Sequence, residues 1–249
     1  MPTLSVIIIT RNEASNIADC INSISFADEI IVVDSNSEDT TPTIAKALGA
    51  KLIQTAEWPG FGPQKNFALS FATSDWVLSI DADERVSESL KSEILQAVNN
   101  PAFDSYQIPR LSSFLGHFIS HSGWYPDYVL RLFKKDGGEF SDSLIHEKFI
   151  PRSDRVGHLR NHLIHYSYIT DSDYLRKLEQ YSSLGALAAY NNKKKSSLFI
   201  TISHALWAFI KSYFIKLGFL DGTGGLLVAI SSAESTYHKY LKLMMLHKK

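Results

Sequence analysis

The residues predict an α/β protein: a mostly parallel sheet flanked by helices, with a helical C-terminal appendage. Three observations point there. Strand and helix signals alternate over the first hundred residues, which implies β-α units and a parallel sheet. The first strand signal, Leu4 to Thr10, is a continuous run rich in β-branched residues, the pattern of a strand buried on both faces. From Ser172 onward the apolar spacing is helical.

After Leu4–Thr10, Asn12 and Ser15 offer caps for a helix carrying Ile17, Cys20, Ile21 and Ile24 on one stripe. Glu29 to Asp34 is the second strand, Ser35 to Asp39 a turn, and Thr43 to Leu48 a helix ending at Gly49. Lys51 to Thr55 makes a short third strand. A Gly/Pro loop, Trp58 to Pro63, precedes a helix over Gln64 to Ala72, and Asp75 to Ile80 is the fourth strand. Residues 101–170 are rich in His, Tyr, Trp and Arg, with strand-like runs at Tyr106–Pro109, Val129–Phe133 and Leu163–Tyr166. The tail holds apolar helices at Leu198–Phe219 and Leu226–Leu246, separated by a break at Asp221–Gly225. These patterns divide the chain into an α/β domain, 1–170 (halves 1–100 and 101–170), and a helical region, 171–249.

Charge narrows the partners. The chain carries a net charge of −1, but residues 171–249 hold 11 Lys/Arg against 5 Asp/Glu, about +6, and residues 1–170 about −7. The acidic part repels nucleic acid, whereas the basic tail suits an anionic surface. The single cysteine, Cys20, excludes an intrachain disulfide and fits a reducing compartment. The N-terminal run reads as a strand and not a signal peptide. No stretch of eighteen uninterrupted apolar residues occurs, so a spanning helix is not expected. Interfacial helices on an anionic cytoplasmic leaflet fit the tail better. The alternative is a helical pair packed on the domain or across a dimer interface.

Ligands of open α/β sheets bind beyond the carboxyl ends of the strands. Three polar clusters fall there: Thr10-Arg11-Asn12-Glu13, Asp34-Ser35 and Asp81-Ala82-Asp83-Glu84. Three acids in four residues repel one another without a partner. Asp81 and Asp83 are spaced to reach one Mg²⁺ or Mn²⁺, directly or through water, alongside substrate phosphates. Helix capping by the same pair is the ordinary alternative. The position after the first strand holds "TRNEAS" where a nucleotidyltransferase has a Gly-rich basic loop, and no G-x-G-x-x-G follows a strand, which argues against a dinucleotide oxidoreductase. No Cys/His set has structural-zinc spacing.

The motifs "SVIIITRNEASNI", "EIIVVDSNSEDTT", "GPQKNFAL" and "WVLSIDADERV" together resemble the nucleotide-sugar domain of family 2 glycosyltransferases, of GT-A type with a Rossmann-like sheet. "GWYPDYVLRLFKK", "LIHEKF" and "LIHYSY" resemble the bacterial lipopolysaccharide inner-core enzymes that transfer glucose or a similar hexose to heptose. The resemblance implies an inverting, metal-dependent transferase using UDP-glucose, peripheral on the inner face of the cytoplasmic membrane, with a lipid-anchored oligosaccharide as acceptor. It implies that Thr10, Asn12, Glu13 and Asp34 line the nucleoside pocket, with Ala82 between the two aspartates. Lys65 pairs with the diphosphate, and Asp83, Asp81 and His165 form the metal site. Glu147 is the implied general base, with Asp127 as second choice. In "GWYPD", which reads as a loop, Trp124 and Tyr125 offer rings to stack on a sugar, with core packing the ordinary alternative. The resemblance implies that His146 binds substrate and that Arg131 orients the base or binds phosphate. The alternation of "VLRLF" equally allows Arg131 a solvated face. A non-catalytic, membrane-attached scaffold that kept the fold is the contrasting class.

Overall fold

The computed structural model describes residues 1–142 and 147–247. In chain order its elements are β1 (Leu4–Thr10), α1 (Ile17–Ser23), β2 (Glu29–Asp34), α2 (Thr41–Ala47), β3 (Lys51–Gln54), α3 (Phe61–Ser70), β4 (Trp76–Asp81), β5 (Glu84–Val86) and α4 (Glu88–Asn99). Then come β6 (Ser105–Phe114), β7 (His117–Phe118), β8 (Asp127–Lys134), β9 (Gly138–Phe140), β10 (Phe149–Pro151), β11 (Val156–His158) and β12 (Leu163–Tyr168). The chain ends in α5 (Asp171–Asn191), α6 (Leu198–Ile210), a π-helical turn (Lys211–Ile215), a 3-10 turn (Gly218–Asp221) and α7 (Gly222–Leu246).

The chain forms two compact units, one of residues 1–110 and 127–165, the other of residues 111–126 and 166–249. In the first, strands run in the order β3-β2-β1-β4-β8-β6. The four N-terminal strands are mutually parallel, and β8 and β6 continue the sheet antiparallel. Every residue of β1 is buried, as its β-branched run requires. Alternate side chains point to opposite faces. Val6, Ile8, Val32, Leu78 and Ile80 pack with Ile17, Cys20, Ile21 and Ile24 from the α1 segment, and with Leu90 and Ile94 of α4. Ile7, Ile9, Ile31, Val33 and Val77 face the other way, with Ala68, Phe133, Phe140 and Phe149. Burying each such side chain contributes about 1.5–3 kcal/mol, so the two faces hold the strand ends in fixed register.

Two expectations need correction, at α3 and at Asp127. Helix α3 begins at Phe61, inside the predicted loop, because Pro63 sits in the first turn where a missing N–H costs nothing. Gly62 also belongs to that turn, and its bare Cα is needed. A Cβ there would lie 1.9 Å from the Ser141 carbonyl oxygen. Asp127 lies at the start of β8, paired in register with Arg110, and not in a loop. The acidic run turns straight into the short strand β5, which pairs with β12 through His165↔Glu84.

The second unit is mainly α5, α6 and α7. The predicted break at Asp221–Gly225 is shorter than expected. Only Gly222, at φ +57°, has a left-handed backbone, while Gly224 and Gly225 lie within α7. Their glycines serve close packing: a Cβ on Gly225 would meet the Gly218 carbonyl oxygen at 1.7 Å. Helix α6 runs on through the π-helical turn, so Leu198–Ile215 forms one segment of 18 residues. Contrary to the expectation from uninterrupted runs, this segment is long and apolar enough to cross a membrane by length and composition. Its single charged residue, Lys211, and its few hydroxyls leave the segment apolar on average.

Candidate active site

The carboxyl ends of β1, β2 and β4 meet as the pattern predicted. Thr10 is in register with Asp34, and Ile9 with Asp81. The strand order reverses at β1, with β2 on one side and β4 on the other. Such a switch point opens a crevice between the loops leaving the strands.

The loops after β1 and β2 are laced together. The Asn12 N–H donates to Ser37 Oγ at 2.8 Å, and Asn12 Oδ1 accepts from the Glu38 N–H at 2.8 Å. The Glu13 N–H donates to Thr41 Oγ1 and the Ala14 N–H to Asp39 Oδ2. Asn12 takes a left-handed backbone, φ +56°, to make this turn, a conformation that asparagine tolerates. Asp34 is fully buried, and its carboxylate accepts from the Ser37 N–H and hydroxyl. In this structure it therefore closes the turn that follows β2. Thr10 Oγ1 is buried without a hydrogen-bond partner among the described residues. Ser37, Asp39 and Thr41 organise this half of the crevice, and the sequence signal for them was the polar run Ser35–Thr41.

The acidic run is answered by cations. Lys65, only 2% exposed, places Nζ 3.0 Å from Asp81 Oδ1 and 3.0 Å from Glu147 Oε1. Arg131, also buried, bonds Asp81 Oδ2 and Glu84 Oε1 through Nη2. Glu84 is completely buried; Oε2 accepts the Asp81 N–H at 2.9 Å, and Oε1 lies 3.5 Å from Arg110 Nη1. Arg110 turns Nε and Nη2 onto Asp127 Oδ2, at 3.0 and 2.6 Å. Lys65, Arg131 and Arg110 thus thread between Glu147, Asp81, Glu84 and Asp127 in one network.

Burial by itself would raise the Asp81 carboxyl, but the Arg131 guanidinium and Lys65 ammonium outweigh it and hold the group far below the usual carboxylate range. Burial likewise works against the charge on Arg131, and Asp81 with Glu84 reverses it, raising that group above its ordinary value. The acidic cluster includes Glu84, but its place in this network and that of Arg110 have no signal in the sequence. A strand's alternation does not say which residue of a neighbouring strand will face it. Cys20 donates its thiol to the Asp81 carbonyl at 3.6 Å, and burial pushes that thiol well above its ordinary range, so it is inert.

Asp83 and His165 stand together on the other side of the turn, with Nε2 3.4 Å from Oδ2. The Ala82 carbonyl accepts from Arg85 Nη1 at 2.8 Å, which shapes the turn between the aspartates. Among the described residues, no group of three or more His, Cys, Asp and Glu side chains is placed to hold a metal ion. Two adjacent ligands on an octahedral Mg²⁺ or Mn²⁺ stand about 3 Å apart, and such ions usually complete their shell with water and phosphate. The Asp83–His165 spacing fits a site of that incomplete kind.

Trp124 and Tyr125 lie in the second unit. Trp124 packs edge-on to Phe114, with ring centroids 5.7 Å apart, and against Tyr168. His146 lies outside the described residues. His121 pairs with Asp221 at 2.8 Å, and His158 packs on the Tyr128 ring, so neither suggests zinc.

A cluster of paired acids and cations at the switch point of a parallel sheet lies where an α/β enzyme binds a charged ligand. Residues 5–154 match the model of "Glycosyl transferase family 2", and the chain belongs to that family. It is a glycosyltransferase. It is 34% identical to an uncharacterized glycosyltransferase of Rickettsia typhi, over 98% of this chain and 87% of that protein. It is 28% identical to the lipopolysaccharide core biosynthesis glycosyltransferase LpsC of Rhizobium meliloti, over 95% of this chain and 93% of that one. A solved fragment of S. aureus TarS in complex with UDP shares the fold, with TM-score 0.50 and 15% identity over 99% of this chain and 91% of that chain.

Proposed function

We propose that this glycosyltransferase moves glucose from UDP-glucose to a heptose of the lipopolysaccharide inner core, inverting the anomeric centre. The observation that carries the reading is the joint end of β1, β2 and β4, where Thr10, Asp34 and Asp81 stand side by side and Lys65 links Asp81 to Glu147. The likeness to LpsC along nearly the whole chain supports the acceptor class. The enzyme would work on the inner face of the cytoplasmic membrane, on an acceptor held there by its lipid.

Roles follow from position. The loops carrying Thr10, Asn12 and Glu13, with Asp34 beneath them, form the nucleoside wall. Lys65 pairs with the diphosphate, for which its ammonium exchanges one of its two carboxylates. Arg131 keeps Asp81 ionised and in place. Asp83 and His165, with Asp81 through water, would hold a divalent cation, which when bound neutralises charge on the diphosphate. Glu147 takes the proton of the acceptor hydroxyl as that oxygen bonds to the anomeric carbon. The bond from that carbon to the diphosphate oxygen breaks on the opposite face, and UDP leaves. Asp127 is likewise paired with a cation, Arg110, and is the second candidate for base.

The test is transfer itself: UDP-glucose, UDP-galactose and other UDP-hexoses offered with a heptose-terminated core acceptor. Transfer of glucose with inversion is expected. Turnover only with a heptose-free glycan would replace the acceptor, and no turnover with any donor would favour a scaffold. Substitution Asp83→Ala is expected to abolish the divalent-cation dependence of UDP binding in calorimetry while leaving the melting temperature near wild type. Undiminished Mn²⁺-dependent binding in that variant would remove Asp83 from the metal site.

A further inference from the structure

We infer that α6 and its π-helical turn form an in-plane membrane anchor, seated on an anionic lipid surface through a face that the structure leaves bare. This deepens the proposed membrane location and rests on it. The segment is built with its polarity reversed. Within Leu198–Ile215 the buried residues are Thr201 and Ser212, both hydroxylic. Leu198, Phe199, Ile202, Leu206, Trp207 and Phe214 are more than half exposed, Phe199 by 81%. A helix in water buries its apolar stripe and solvates its hydroxyls. The reversed arrangement is stable where the outer medium is itself apolar, and small residues then face the neighbouring helix.

Charge identifies the medium. Residues 191–220 contain five lysines, Lys193, Lys194, Lys195, Lys211 and Lys216, all exposed, and no Asp or Glu. A second copy of the chain seated on this face would bring the same five positive charges against them. An anionic bilayer matches both features, with apolar side chains below the headgroups and lysines among the phosphates.

Geometry sets the mode. Eighteen residues of helix extend about 27 Å at roughly 1.5 Å each, barely the hydrocarbon thickness. Lys211 falls within the segment. The returning helix α7 carries Glu234, His238, Lys239 and Lys242, too many charges to cross back. The hairpin therefore lies in one leaflet. It also holds the Trp124 loop: the His121 N–H and Nδ1 each meet the Asp221 carboxylate at 2.8 Å, and the Ser122 N–H donates to the Lys216 carbonyl at 2.8 Å. Docking by this hairpin would hold that loop beside the lipid from which the acceptor projects.

The experiment is flotation of the full chain with phosphatidylcholine vesicles, with and without about 30% phosphatidylglycerol to supply negative surface charge, in the absence of donor and acceptor. Wild type is expected to float with the anionic vesicles. The pair Phe199→Asp and Leu206→Asp, whose side chains face outward and whose fold is checked by circular dichroism, should lower partitioning at least about tenfold. Changing Lys193, Lys194 and Lys195 to Glu should remove the preference for anionic lipid. A wild-type chain that stays in solution, or a dimer in sedimentation that the Phe199/Leu206 pair dissolves, would overturn the inference. A chain that floats but transfers no sugar would leave it standing and remove the proposed activity instead.

Discussion

Glu147→Gln is expected to lower glycosyl transfer about 10²–10⁴-fold while UDP still binds, the loss typical of removing a general acid or base. The amide keeps the side chain's shape and can still accept from Lys65 Nζ, now 3.0 Å from Glu147 Oε1, but it takes no proton from an acceptor. A loss confined to turnover separates this role from a structural one, since a residue that only braces Lys65 would weaken UDP binding as well. The matched control is Asp127→Asn. If that variant loses transfer and Glu147→Gln does not, the base is Asp127. Steady-state rates and UDP titrations on both variants decide it.

The largest effect on stability is expected at Arg131. Removing its guanidinium in Arg131→Ala leaves Glu84, fully buried, and Asp81 with one partner fewer each. Breaking a buried ion pair from one side costs about 3–5 kcal/mol, because the remaining charge stays desolvated. That cost can be a large share of a domain's net stability, so chemical denaturation should show it plainly. The wild-type network has a pH signature as well. Asp81 is held below the ordinary carboxylate range, so its contribution is complete above that range and disappears as pH falls through it toward the depressed value. Acid should therefore weaken wild type relative to Arg131→Ala, narrowing the gap between them. A variant as stable as wild type at neutral pH would show the network to be dispensable.

The parallel core was legible because its cause is local. Buried parallel strands need near-continuous apolar runs, and β1, β2 and β4 each run out in a polar residue, Thr10, Asp34 and Asp81. The crevice followed from those ends. What the acids do was less legible. Asp81 and Asp83 were expected on one ion, yet Asp81 meets Lys65 and Arg131, whereas Asp83 meets His165. The reason is strand register: Arg131 reaches Asp81 only because β8 pairs antiparallel with β4, a long-range fact that a spacing of two residues does not contain. The partners of Glu84, Arg131 and Arg110, depend on that same register. The tail misled through its interruptions. The run Asp221–Gly225 reads as a break, but Gly224 and Gly225 lie inside α7, where close packing explains them.

The central claim is that the crevice at the ends of β1, β2 and β4 is a uridine nucleotide-sugar site, and calorimetric titration of UDP addresses it most directly. UDP would be titrated into the wild-type chain with Mn²⁺ and again with EDTA, and CDP and NAD would serve as controls. Binding of UDP that weakens in EDTA, with CDP and NAD much weaker, is the predicted result. Absence of UDP binding in both conditions would contradict the account.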